Sequence, residues 1–104
     1  MRIDRFRCAL TSQPGHLHVT TYHLCFLASF GGKKLAIAFS ELKAVLRAKR
    51  FKLMLGQGSS INLETTDGES FHLAGFAQRE DAYACILNQA RNRGVRVQDG
   101  HSVQ

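Results

Sequence analysis

Ser60-Ile61-Asn62-Leu63-Glu64-Thr65-Thr66-Asp67-Gly68-Glu69-Ser70-Phe71-His72-Leu73, with the run that continues to Gly94, decides the fold of this chain. From Ser60 to Thr65 apolar and polar residues alternate with period two, the mark of a half-buried strand. Asp67-Gly68 is a preferred two-residue hairpin pair, because a type I′ turn needs positive φ at both central positions. Phe71, Leu73 and Gly75 follow on the returning strand. Then the period changes. Ala82, Tyr83, Ile86, Leu87 and Ala90 fall at i, i+1, i+4, i+5 and i+8, a single apolar stripe on a helix. Glu80 and Asp81 occupy its first turns, Arg91 and Arg93 its last, and Gly94 is the expected stop. A lone helix among strands must bury its stripe against a sheet, so it is predicted to be the lid of a small β core.

Outward from this stretch the chain reads as strands and turns. Phe6, Cys8 and Leu10 form the core face of a first strand, which Gln13-Pro14-Gly15 is expected to end. Leu17 and Val19 face inward on a second strand, with His16, His18 and Thr20 facing out. His23 to Phe30 is a third strand, and Gly31-Gly32 turns it into a fourth, where Leu35, Ile37 and Phe39 share a face. After a corner at Ser40-Glu41-Leu42, Lys43 to Phe51 fits either a fifth strand or a helix. The hairpin spacing around it favours the strand. Residues 51–59 read as a loop and residues 95–104 as a flexible tail, leaving residues 1–94 as the domain. The fold class predicted is mainly β with one C-terminal helix: seven strands in two packed antiparallel sheets or an open barrel, capped by the helix.

At 104 residues, with 44% hydrophobic and 21% charged, the chain is one ordinary globular domain. No apolar run approaches the roughly 20 residues of a membrane span, and Met1-Arg2-Ile3-Asp4 opens no signal peptide. A cytoplasmic location is expected, either alone or as a module of a larger protein. Cys8, Cys25 and Cys85 are odd in number and lack CxxC spacing, so buried free thiols are expected rather than a disulfide scaffold or a metal site. The net charge of +6 is concentrated: residues 33–52 hold seven basic side chains against Glu41 alone, and elsewhere seven basic and seven acidic groups cancel.

Gly15-His16-Leu17-His18-Val19-Thr20 and Tyr22-His23-Leu24-Cys25-Phe26 resemble the opening of GRAM domains. Ile37-Ala38-Phe39 with Leu42, Ile61 to Thr65 with Asp67-Gly68, and Phe71 to Phe76 followed by Arg79-Glu80-Asp81-Ala82-Tyr83 continue the resemblance in order, from Phe6 to Gly94. It implies a pleckstrin-homology-like fold, and a membrane-associated module that binds phosphoinositides or other anionic lipids, usually inside a larger protein. Two features differ from many relatives. The loop Thr11 to His16 carries no lysine or arginine, and the third and fourth strands are joined by a short Gly31-Gly32 connection.

The candidate lipid-binding residues are Lys33, Lys34, Arg47, Lys49, Arg50 and Lys52, since phosphate oxygens take charge-assisted donors. Phe51 and Leu53, flanked by cations, are candidates for a membrane wedge, or else the apolar side of an extended fifth strand. His16 and His18 alternate on a strand without thiolate or carboxylate partners, which does not make a metal site. No nucleophile–base–oxyanion set is visible, so no enzyme and no cofactor are expected. Nucleic acid is disfavoured because the aromatics fall on core positions and leave no stacking row. The expected partners are anionic membrane lipids. The alternative is a protein-interaction or autoinhibitory module that uses the sheet edge or the groove beside the helix.

Overall fold

The structure, a computed structural model, describes residues 2–11, 13–32, 34–47 and 60–101. Among them are strands β1 (Arg2–Leu10), β2 (Gln13–Thr20), β3 (His23–Ala28), β4 (Lys34–Ala38), β5 (Leu42–Arg47), β6 (Ile61–Thr65) and β7 (Ser70–Ala74), helix α1 (Arg79–Asn92), and β8 (Gln98–His101). The strands hydrogen-bond in the order β4-β3-β2-β1-β7-β6-β5-β8. The β1–β4 half is joined to the β5–β7 half through only two residue pairs, Ala9 with Ala74 and Leu10 with Leu73.

The period-two patterns explain which side of each strand is dry. Phe6, Leu17 and Phe26 pair across β1, β2 and β3, and all three are buried. Ile61 and Leu63 of β6 pair with Leu73 and Phe71 of β7 and close the core from the other half. Helix α1 buries Ala82, Tyr83, Ile86, Leu87 and Ala90, the stripe its 3.6-residue period predicts. Each large aliphatic or aromatic side chain removed from water here contributes roughly 1.5–3 kcal/mol before chain entropy is counted, so the helix stripe is a principal reason the two halves stay together.

The helix ends as Gly94 requires. Gly94 has φ +73°, its N–H donates to the carbonyl of Arg91, and the Val95 N–H donates to that of Ala90, both at 2.9 Å. These two bonds are the Schellman pair. Val95 then packs against the core.

Four details differ from expectation. The β1–β2 connection turns at Thr11, which has φ +50°, while Pro14 and Gly15 lie inside β2. Gly15 is needed for close approach, not for a turn: a Cβ there would sit 2.2 Å from the Leu27 carbonyl oxygen and 2.8 Å from the Ala28 Cα. The β6–β7 hairpin does turn at Asp67-Gly68, but only Gly68 has positive φ, at +92°. The Gly68 N–H donates to the Thr65 carbonyl at 3.1 Å and the Thr65 N–H to the Glu69 carbonyl at 2.9 Å. This is a three-residue loop, a type I turn followed by a left-handed glycine, not a two-residue type I′ turn. The Thr65 hydroxyl bonds the Asp67 carboxylate, which also accepts from the Glu69 N–H, and these bonds hold the Asp67 carboxyl below its usual range.

Of the segment that fits strand or helix, Leu42–Arg47 is strand, bulged between Leu42 and Ala44, and the rest falls outside the described residues. Finally, the tail expected to fray is ordered as far as the sheet: Val95 and Val97 pack on the core, and β8 lies parallel to β5 from the Ala44–Gln98 pair to the Arg47–His101 pair.

Candidate functional site

Lys33, Lys49, Arg50, Phe51, Lys52 and Leu53 lie outside the described residues. The other two candidate cations, Lys34 and Arg47, stand in different surroundings.

Arg47 pairs with Ile61, whose side chain is fully buried, so it points to the helix side of β5. There its guanidinium grips Glu80 of α1 in a fork, Nε to Oε2 at 2.9 Å and Nη2 to Oε1 at 2.6 Å. The same group lies 3.9 Å above the Tyr83 ring. The Tyr83 hydroxyl in turn accepts the Gly100 N–H of β8 at 2.6 Å. Hydrogen bonding to Arg47 lowers the Glu80 carboxyl below the ordinary glutamate value, and Glu80 raises Arg47 in return. Arg47 therefore clasps strand, helix and tail. Its guanidinium shares the Glu80 carboxylate with Arg79, whose Nε lies 3.1 Å from Oε2.

Lys34 begins β4 with an exposed side chain and belongs to a different array. Cross-strand pairing runs Arg7–His16–Leu27–Lys34 over β1, β2, β3 and β4, and the next outward row runs Arg5–His18–Cys25–Ala36. Directly opposed residues of an antiparallel ladder share a face, so these eight side chains stand together on the outside of the β1–β4 half. Arg5, Arg7, Leu27 and Lys34 are exposed there, and the rings of His16 and His18 lie 6.3 Å apart. Beyond the end of β3, Phe30 is 91% exposed, the most exposed large hydrophobic side chain among the described residues.

The outward direction of His16 and His18 was legible from alternation. The cations beside them were not, because Arg5 and Arg7 lie far in sequence from Lys34. Phe30 was missed because it reads as the end of an apolar strand.

The thiols are free. Burial pushes Cys8 up to about 12, and desolvation followed by the charge of Asp4 raises Cys85. Cys25 is only half-buried, on the outer face. Among the described residues no group of three or more histidine, cysteine or carboxylate side chains could hold a metal ion, and no helix is long and apolar enough to cross a membrane.

The C-terminal domain of an unknown protein from Leishmania infantum superposes with a TM-score of 0.79 at 25% identity, over 88% of this chain and 84% of that one. The structure of the Spt16D Pob3N heterodimer matches with a TM-score of 0.67 at 15% identity, over 97% of this chain and 56% of that one, a likeness of fold alone. The fold is the pleckstrin-homology-like one. No curated protein matches the chain. The family model of the GRAM domain matches residues 2–95. Nearly the whole chain is thus accounted for by one family, and the protein belongs to the GRAM domain family.

Proposed function

We propose that this domain is a non-catalytic, peripheral membrane module that binds phosphoinositides or other anionic lipids on the cytoplasmic side. Phe30 carries the proposal. An aromatic side chain left 91% exposed at a hairpin end, a few residues before exposed Lys34, costs a soluble domain solubility and has no core to fill. Aromatic rings beside cations suit the headgroup boundary of a bilayer, where the ring leaves water and the ammonium meets phosphate. Lys33, Lys49, Arg50 and Lys52 complete the basic surplus in the proposal, with Phe51 and Leu53 as further wedge candidates. Arg47 is left out because Glu80 already engages it. Each basic residue near an acidic leaflet adds about 1 kcal/mol, and a buried phenyl ring about 1.5–3 kcal/mol.

The test is sedimentation with phosphatidylcholine vesicles containing increasing phosphatidylserine or phosphoinositide. Binding is expected to rise with acidic lipid and fall with salt. Phe30→Ala is expected to weaken it about tenfold or more, and charge reversal of Lys49, Arg50 and Lys52 to abolish it. A wild-type domain that ignores acidic vesicles at low salt overturns the proposal.

One feature favours a second reading, a protein-interaction module. Among the described residues β4 ends the sheet and pairs with β3 alone, and a sheet-end strand of this kind can take a partner strand. In that case vesicles are silent, and a partner is captured that proline substitution within β4 releases.

A further inference from the structure

We infer that the outer face of the β1–β4 half is itself a docking surface for an anionic membrane, made by Arg5, Arg7 and Lys34 with His16, His18 and Leu27 between them. The inference rests on the lipid-binding proposal and deepens it by naming a face outside residues 47–53.

The first observation is charge segregation. By sequence segment, the basic and acidic groups outside residues 33–52 cancel. In space they do not. The strands β1 to β4 contain a single carboxylate, Asp4, and it pairs with Val19 in the row that faces the core. Its charge is felt by Cys85 of α1, on the helix side. The opposite face of those strands carries Arg5, Arg7 and Lys34, and among the described residues no carboxylate lies within ion-pairing distance of any of them. The acids gather elsewhere: Glu64, Asp67 and Glu69 on or beside β6, Glu80 and Asp81 on α1.

The second observation is shape. Neighbouring strands lie about 4.8 Å apart and residues two apart along a strand about 7 Å, so the two rows form a patch of roughly 14 by 7 Å. A flat array of donors suits a sheet of headgroups better than one phosphate in a cradle. His16 adds a ring N–H donor beside Arg7, a kind of contact a phosphate oxygen can accept.

The third observation selects the occupant. Leu27, 45% exposed, stands in the middle of the first row, and Phe30 follows just beyond the end of β3. Apolar groups among cations gain from an acyl boundary and gain little from a phosphodiester backbone. A single-strand nucleic-acid platform stacks bases on rings along the rows, and the rows offer only the tilted imidazoles of His16 and His18, with no phenylalanine, tyrosine or tryptophan.

The experiment uses the whole chain with vesicles of phosphatidylcholine and phosphatidylserine at two salt concentrations, and a labelled DNA duplex in parallel. Arg5→Glu/Arg7→Glu is compared with Arg5→Lys/Arg7→Lys and with Lys43→Glu, which reverses an exposed cation in the other half. The double reversal is expected to weaken vesicle binding by at least about 25-fold, the lysine pair by less than about threefold, and Lys43→Glu by less than about fivefold. If the double reversal does not melt cooperatively, Arg7→Glu alone takes its place, with a loss of about fivefold or more. Wild-type binding that the double reversal leaves at the Lys43→Glu level overturns the docking face while the lipid-binding module stands. Absence of wild-type vesicle binding removes both. Duplex binding that the double reversal abolishes, with vesicles silent, assigns the face to nucleic acid and overturns the membrane assignment.

Discussion

Replacing Arg47 separates a structural clasp from a lipid ligand, because the two roles predict opposite results. Arg47→Ala removes a forked ion pair to Glu80 and a cation held 3.9 Å above the Tyr83 ring. The Glu80 side chain is 57% exposed and that of Arg47 25%, so solvent screens the ion pair, which is worth about 0.5–1 kcal/mol at such a site. The ring contact adds about 0.5–1 kcal/mol. The expected loss is therefore about 1–2 kcal/mol, a fall in Tm of roughly 5–10 °C for a domain of this size. In a cycle of Arg47→Ala, Glu80→Gln and the double variant, the pair should show a coupling of about 0.5–1 kcal/mol by urea unfolding. That coupling depends on pH in one direction. Glu80 is lowered from 4.5 in the folded chain, so its contribution is complete above that value and is lost as pH falls through the lowered one. Vesicle affinity of Arg47→Ala, measured below its melting temperature, should match wild type within about twofold. Unchanged stability together with a loss of vesicle binding would refute the clasp and return Arg47 to the lipid site.

Two further changes test the fold where expectation failed. Gly15→Ala drives a methyl into the Leu27 and Ala28 backbone, which cannot rotate away as a side chain can. A loss of about 2–3 kcal/mol by urea denaturation is expected, and a loss under about 0.5 kcal/mol would show that β2 and β3 part easily. Truncation after Val97 removes β8 and leaves the Tyr83 hydroxyl without the Gly100 N–H. Hydrogen exchange at Ala44 to Arg47 should then quicken at least tenfold while the β1–β3 amides keep their protection; unchanged β5 exchange would mean that β8 only rests on the edge.

Much of the scaffold was legible because it depends on period. The stripe of α1 and the inward side chains of β1, β2 and β6 are set by which residues can leave water, and a linear pattern shows that directly. Turn chemistry was legible in place but not in kind. Pro14-Gly15 looked like a break, yet the glycine serves a backbone crossing that only the neighbouring strand imposes, while Thr11 makes the turn in a conformation its side chain disfavours. Gln98-Asp99-Gly100-His101 has no alternation at all, and it is a strand because β5 and Tyr83 offer its backbone partners. The charge pattern misled for a related reason. Counting along the chain finds the surplus in residues 33–52, but Arg5 and Arg7 meet Lys34 only through three ladders of cross-strand pairs. An ion pair such as Arg47–Glu80, 33 positions apart, leaves no local trace.

The alternation along β2 has a consequence for how this domain can diversify. Leu17 and Val19 fill the interior, while His16 and His18, one step out of phase, dress the exterior between Arg5, Arg7 and Cys25. A single inserted or deleted residue would exchange the two sets, sending imidazoles into the interior and aliphatics into solvent. Lineages of this domain are therefore free to repaint the exterior by point replacement, one position at a time, and are barred from sliding it. Changes of length must be absorbed at the hairpin ends, where Phe30 sits.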